Sequence, residues 1–313
     1  ELIFDKDINL DNLIPSLNQI PEIEFAEKVP LYKLFFTPND SIYSTQWNLS
    51  KIQADLAWNL SQGCANVKVA VTDDGFLMTH EDLVNQWHIN TGEIAGNGID
   101  DDGNGYIDDW RGWDAANNDN DPSATSPTNT YFTHGTHVAG IIAGQTHNSK
   151  GIATIGYNCK MIPVKIGLSS NSFLTGAFQG LDYAVNASDC DVINMSWGGG
   201  GWSATYQTLF NIAKTKGIIC VAAAGNSNTS APMYPASYNH VISVAASAST
   251  DARASFSNFG STIDVTAPGV GIPSCLAGAT NSYGNLSGTS MASPLVAGLC
   301  ALMKCYNPMP ADS

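Results

Sequence analysis

Five short apolar, β-branched runs, at residues 67–72, 161–166, 191–196, 218–224 and 241–246, constrain the fold more than any other feature of the chain. Each is hydrophobic at nearly every position instead of alternating, the pattern of strands buried on both faces. Helical periodicity appears at 134–145, 172–187, 203–216 and 290–304. Repeated strand–helix–strand units with doubly buried strands imply helices on both sides of the sheet. The expected fold is therefore a three-layer, doubly wound α/β domain with a mainly parallel sheet. Pro163 falls inside the second run, and because it donates no ladder hydrogen bond, a bulge or an unpaired position is expected there.

The 313-residue length suits one large domain and a short accessory segment. Residues 1–36 differ in character: Pro15, Pro21 and Pro30 break any long helix, so this stretch reads as an appendage with a boundary near Thr37. Thirteen basic against 28 acidic side chains give a net charge of −15, which argues against nucleic acid or an anionic membrane as partner. No apolar run approaches the roughly 18 residues of a membrane span, and the N-terminus lacks the basic and apolar regions of a signal peptide. Seven cysteines are an odd number, so at least one is unpaired within the chain. Cys220 reads as a buried thiol acting as a small hydrophobe. Cys64 and Cys159 each precede a strand and offer one pairing, although sequence does not fix connectivity.

Three segments carry chemistry. Residues 69–75, Val-Ala-Val-Thr-Asp-Asp-Gly, place Asp73 at the carboxyl end of a buried strand, where the sites of open α/β sheets gather. Taken singly, an acid beside a glycine at a strand end is more often a turn. Residues 134–140, His-Gly-Thr-His-Val-Ala-Gly, open a helix with His134 at its start as candidate general base. His137, one turn on, falls on nearly the same side, so a metal-binding pair with Asp73 is an alternative at this point. Residues 287–294, Ser-Gly-Thr-Ser-Met-Ala-Ser-Pro, put Ser290 at the start of an apolar helix. Backbone N–H groups and the helix dipole there favour a developing oxyanion, which makes Ser290 a candidate nucleophile, an ordinary N-cap being the plain reading. Asn226 ends another buried strand and offers an amide donor of the kind an oxyanion hole needs.

Together these segments resemble the subtilisin-like serine protease family, and within it the calcium-binding thermitase-type branch, over roughly residues 37–305. The order Asp, His, Ser agrees, and Gly288-x-Ser290-x-Ala292 lacks the second glycine of the α/β-hydrolase elbow. The resemblance implies that Asp73 orients His134, that His134 activates Ser290, and that the Asn226 amide and the Ser290 N–H hold the oxyanion. It further implies that Ser196, Trp197 and Gly198 form one wall of the primary specificity pocket and Ala223, Ala224 and Gly225 the other, pairing with an extended peptide. Met233 stands where many relatives carry glycine at the pocket floor, implying a shallower or more adaptable pocket, with core packing as the alternative. Leu295 replaces a histidine usual in relatives, away from the triad positions.

Calcium is expected from two sources. Asp100, Asp102, Asn104, Gly105 and Asp108 follow the spacing of an EF-hand loop, with Arg111 where the closing Glu belongs and Asp109 as its substitute. The resemblance adds a site at Asp40, Asp82 and Asn148, and a weaker one at Asp114 and Asp119 where Asn117 replaces an acid. It also implies that residues 1–36 are the C-terminal part of an inhibitory propeptide and that 37–313 is a catalytic domain lacking its last elements. The enzyme is expected to act on proteins or peptides as a secreted monomer, the periplasm being the alternative compartment. Two rival readings are a catalytically silent calcium-binding or assembly module of the same fold and a metallohydrolase using His134, His137 and Asp73.

Overall fold

The computed structural model describes residues 8–28, 36–123, 133–168 and 173–307. Pro30, the expected helix start at Ser172 and the last residues of the chain lie outside the described residues. The chain separates into two compact units, Glu1–Phe35 and Phe36–Ser313. The first contains α1 (Leu10–Leu17), whose N-cap Asn9 accepts from Asp11 N at 2.9 Å and which buries no residue.

In the second unit, α2 (Trp47–Lys51) and α3 (Ala54–Leu60) precede the sheet. Seven strands follow: β1 (Lys68–Asp73), β2 (Trp113–Asp114), β3 (Lys160–Lys165), β4 (Val192–Met195), β5 (Ile219–Ala223), β6 (Val241–Ser247) and β7 (Val265–Pro268). They pair in the order β2-β3-β1-β4-β5-β6-β7, every neighbour parallel. A separate antiparallel pair, β8 (Ile272–Cys275) and β9 (Tyr283–Leu286), leads into the last helix. Four helices cover the sheet: α4 (Thr133–Ala143), α5 (Ala177–Asn186), α6 (Ala204–Thr215) and α7 (Thr289–Tyr306).

Two cores follow from strand alternation. Val69, Val71, Met161, Val192 and Val221 pack under α4 and α7 with Val138, Ile142 and Leu295. Ala70, Ile162, Val164, Ile193 and Ala222 pack under α5 and α6 with Leu181, Leu209 and Phe210. The three-layer, mainly parallel arrangement expected from the apolar runs is the one observed.

Of two local expectations, the one at Pro163 holds as an unpaired position and not as a bulge, and the cysteine pairing fails. Pro163 causes no bulge, because it pairs in register with Val71. Met161 N and Lys165 O bond away from β1, to Gln86 O and from Ala115 N. Pro163, on the same alternation, turns its donorless nitrogen to that side, where β2 begins only opposite Val164. The disulfide joins Cys64 to Cys305, not to Cys159. The C-terminal end of α7 brings Cys305 over the entry to β1, and Cys159 remains a buried free thiol with Sγ 3.7 Å from that of Cys305.

Lys165 and Asp114, at the ends of β3 and β2, form a fully buried ion pair. Removing one carboxylate or ammonium takes the counter-charge of this pair out of the interior. Asp114→Asn is expected to destabilise the domain by about 3–5 kcal/mol, read as a lowered midpoint in denaturant unfolding, whereas replacing both partners with apolar residues of similar volume costs much less.

Candidate active site

At the carboxyl edge of the sheet β1 ends in Asp73, whose side chain is 2% exposed. α4 delivers His134 to it, with Nδ1 2.7 Å from Asp73 Oδ1. The close approach requires glycine at 135: a Cβ there would lie 3.0 Å from Asp73 Cβ and 2.9 Å from Asp74 Oδ1. Gly135 N instead donates to Asp74 Oδ1 at 2.8 Å, a second tie between β1 and α4.

Burial opposes a charged imidazolium, but the Asp73 charge and hydrogen bond, together with Asp74, outweigh it and raise His134 from 6.5 to about 9. Burial and the neighbouring Asp73 raise Asp74 from 3.8 to about 8. The His134 contribution to stability is therefore complete below pH 6.5 and is lost as pH rises through about 9.

α7 begins at Thr289, directly before Ser290. α4 and α7 pack side by side through Gly298, where a Cβ would lie 2.7 Å from Ile142 O. Gly298 is as far along α7 from Ser290 as Ile142 is along α4 from His134, so the packing brings the two helix starts level. The Ser290 hydroxyl donates to Ser196 O at 3.1 Å rather than to His134.

Asn226 Oδ1 accepts from Thr289 N at 2.8 Å and from Thr289 Oγ1 at 2.9 Å, which fixes the amide and leaves its N–H₂ as donor. A Cβ at Gly288 would lie 3.4 Å from Asn226 Nδ2 and 3.5 Å from Ser290 N. The two nitrogens thus border one space, which a side chain at 288 would enter, and two N–H donors beside a hydroxyl can stabilise an oxyanion.

Ser196, Trp197 and Gly198 follow β4, Ala223 ends β5, and Ala224 and Gly225 come directly after it. Met233 lies between these segments: its Cγ is 3.2 Å from a Cβ at Gly198 and its Cε 3.1 Å from a Cβ at Gly225. His137 is fully buried, bonds Gly284 O on β9 at 3.2 Å, and is lowered by burial to about 4. The two histidines therefore serve different partners, and His137 does not join His134 and Asp73 in a metal cluster.

Among the acids, Asp40, Asp82 and Asn148 come together: Asn148 Nδ2 donates to Asp82 Oδ1 at 2.7 Å, and Asn148 N to Asp40 Oδ1 at 3.3 Å. The 100–109 loop gathers differently from its EF-hand spacing. Asp100 and Asp102 are joined by Glu93, their carboxylates within 4.8 Å of one another. Asp108 turns away to accept from Gly96, Asn97 and Gly98 amides, and Asp109 is held by Tyr183, Asn90 and Asn104. Asp114 is occupied by Lys165, and Asp119 meets it only through backbone hydrogen bonds. Sequence spacing missed Glu93, which lies outside the loop motif and reaches it only through the fold.

An α/β sheet carrying a carboxylate–imidazole pair and a helix-borne serine on one edge has the layout of the serine hydrolases. The chain belongs to the subtilase family, whose model matches residues 65–312. It is 37% identical over 297 residues to the thermophilic serine proteinase of Bacillus sp. strain AK1, covering 94% of this chain and 66% of that protein. It is 37% identical over 270 residues to thermitase of Thermoactinomyces vulgaris, covering 86% and 85%. The extracellular protease of Xanthomonas campestris is 38% identical over 328 residues, covering 95% and 54%. This chain thus spans between about half and most of the length of these relatives. A solved protease structure from Pseudoalteromonas arctica superposes with a TM-score of 0.70 at 32% identity, over 88% of this chain and 90% of that one.

Because Asp74 is one of the charges that raise His134, Asp74→Asn is expected to move the His134 titration downward from about 9, followed by NMR of the imidazole protons.

Proposed function

We propose that the chain is a serine endopeptidase acting on protein and peptide substrates. The observation that carries this reading is the Asp73–His134 hydrogen bond level with Ser290 and its two convergent donors. In the proposed mechanism Ser290 Oγ swings from Ser196 O to His134 Nε2, gives up its proton and attacks the peptide carbonyl. The oxyanion sits between Asn226 Nδ2 and Ser290 N. His134 then protonates the leaving amine, and water repeats the sequence to release the acyl group. Asp73 holds the imidazole in one tautomer and stabilises the imidazolium.

The raised His134 value makes the free base an alkaline species, so activity is expected to rise with pH toward about 9. Met233, filling the gap between Gly198 and Gly225, favours substrates with a small side chain before the cut. Oxygen-only donor sets at Asp40, Asp82 and Asn148, and at Glu93, Asp100 and Asp102, suit Ca²⁺, which would brace these loops without entering the reaction. Residues 1–36 act as the end of an inhibitory propeptide, and the enzyme is a secreted monomer. A silent calcium-binding module is the second reading; the intact Asp73–His134 pair favours the enzyme.

A fluorophosphonate probe in millimolar calcium is expected to label the protein and not its Ser290→Ala variant; failure to label folded, calcium-loaded protein would turn the reading to the silent module. Asn226→Ala is expected to lower kcat by about a hundredfold to a thousandfold with a smaller change in KM. Met233→Gly is expected to raise kcat/KM for large apolar P1 residues relative to alanine in a set of peptide anilides. Calcium at about 100 times its Kd should stabilise the fold by about 2.7 kcal/mol over the chelated protein, read as a Tm shift that magnesium does not reproduce.

A further inference from the structure

α7 carries Pro294 within its first turns, and a proline has no N–H to give to the carbonyl four residues back. That carbonyl belongs to Ser290. It is not left empty: Ser196 Oγ donates to Ser290 O at 2.9 Å. The same two residues bond in the reverse sense, Ser290 Oγ to Ser196 O at 3.1 Å, so the end of β4 and the start of α7 clasp each other around the serine.

A hydroxyl can donate in several directions, and two further residues fix this one. Asn194 Nδ2 donates to Ser196 Oγ at 2.9 Å; an amide N–H₂ cannot accept, so the Ser196 proton is left for Ser290 O. Ser293 Oγ donates to Asn194 Oδ1 at 2.8 Å, which sets the amide so that nitrogen, not oxygen, faces Ser196. Asn194 and Ser293 are fully buried and Ser196 is 3% exposed, so water does not compete for these bonds. With the amide turned the other way, the Ser196 hydroxyl would donate to Asn194 and the Ser290 carbonyl would lose its donor.

We infer that Ser293, Asn194 and Ser196 form a one-way hydrogen-bond relay that replaces the helix donor missing at Pro294 and positions the Ser290 peptide. Asn194 and Ser293 touch neither substrate nor reacting atoms and are positioning residues. Their effect passes through the Ser290 backbone, whose N–H also supplies one of the two convergent donors. The inference rests on the reading of Ser290 as nucleophile.

Pro294→Ala gives the helix its missing N–H and makes the relay redundant, which separates positioning from general packing. Ser196→Ala and Asn194→Ala are measured alone and combined with Pro294→Ala, by steady-state hydrolysis of a peptide anilide and by the rate of fluorophosphonate inactivation. Each single variant is expected to lose roughly tenfold to a hundredfold in kcat and in inactivation rate, with KM within about twofold of wild type. In the Pro294→Ala background the same changes are expected to cost less than about threefold. Equal losses in both backgrounds, or no loss in the single variants, would overturn the relay. A wild-type protein that fails to react with the probe would overturn the nucleophile assignment instead. Thermal melts accompany every variant, and if Asn194→Ala does not fold, Ser196→Ala carries the comparison, because it removes one hydroxyl and leaves the main chain in place.

Discussion

The parallel pairing of β1 with β3 on one side and β4 on the other places every element of the site. Parallel strands all end at the same edge, and the chain lays β2 and β3 on one side of β1 before crossing to β4 on the other, so a crevice opens above the carboxyl ends of β1 and β4. Asp73 closes β1, Ser196 follows β4, and Asn226 lies just past β5, all on that edge. The helices then finish the work of the sheet. α4 and α7 lie on the same face, and their contact at Gly298 and Ile142 sets their starts level.

Electrostatics and sterics at this edge are coupled. His134 can approach Asp73 only because residue 135 has no side chain, and the space beside Asn226 Nδ2 and Ser290 N stays open only because residue 288 has none. Asp74 adds a second carboxylate beside the first; burial and the Asp73 charge raise it, and it in turn helps to raise His134. Further out, the Lys165–Asp114 pair takes up the charge of a buried lysine next to β1 and gives Asp114 a partner other than a free cation. The acidic surface loops are organised mainly by backbone amides, as where Asp108 receives three of them, which is why an oxygen-rich stretch holds a defined shape.

Much of this was legible in the chain. Strands buried on both faces leave continuous apolar runs, so the sheet and its class could be read from the sequence. Asp73, His134, Ser290 and Asn226 could be singled out because each sits near a strand end or helix start within two residues of a glycine, where backbone and side chain can both reach a reacting group. Calcium-ligand candidates were only partly legible: the spacing of Asp100, Asp102 and Asn104 suggested a loop, but Glu93 joins it from outside and Asp108 leaves it. Disulfide pairing was not legible, since Cys64 and Cys305 are 241 residues apart in sequence and meet only when α7 has packed.

The sequence by itself determined the parallel α/β layout, the family, and which side chains are candidates for the chemistry, because hydrophobic period and local motif are properties of neighbouring residues. The tertiary structure alone decided how those residues are aimed. The 2.7 Å Asp73–His134 bond, the direction of the hydroxyl at Ser196, the gap filled by Met233 and the company kept by each acid depend on contacts between segments far apart in the chain. Local sequence does not encode such distances; they are fixed when the helices pack against the sheet and each buried polar group must find a partner.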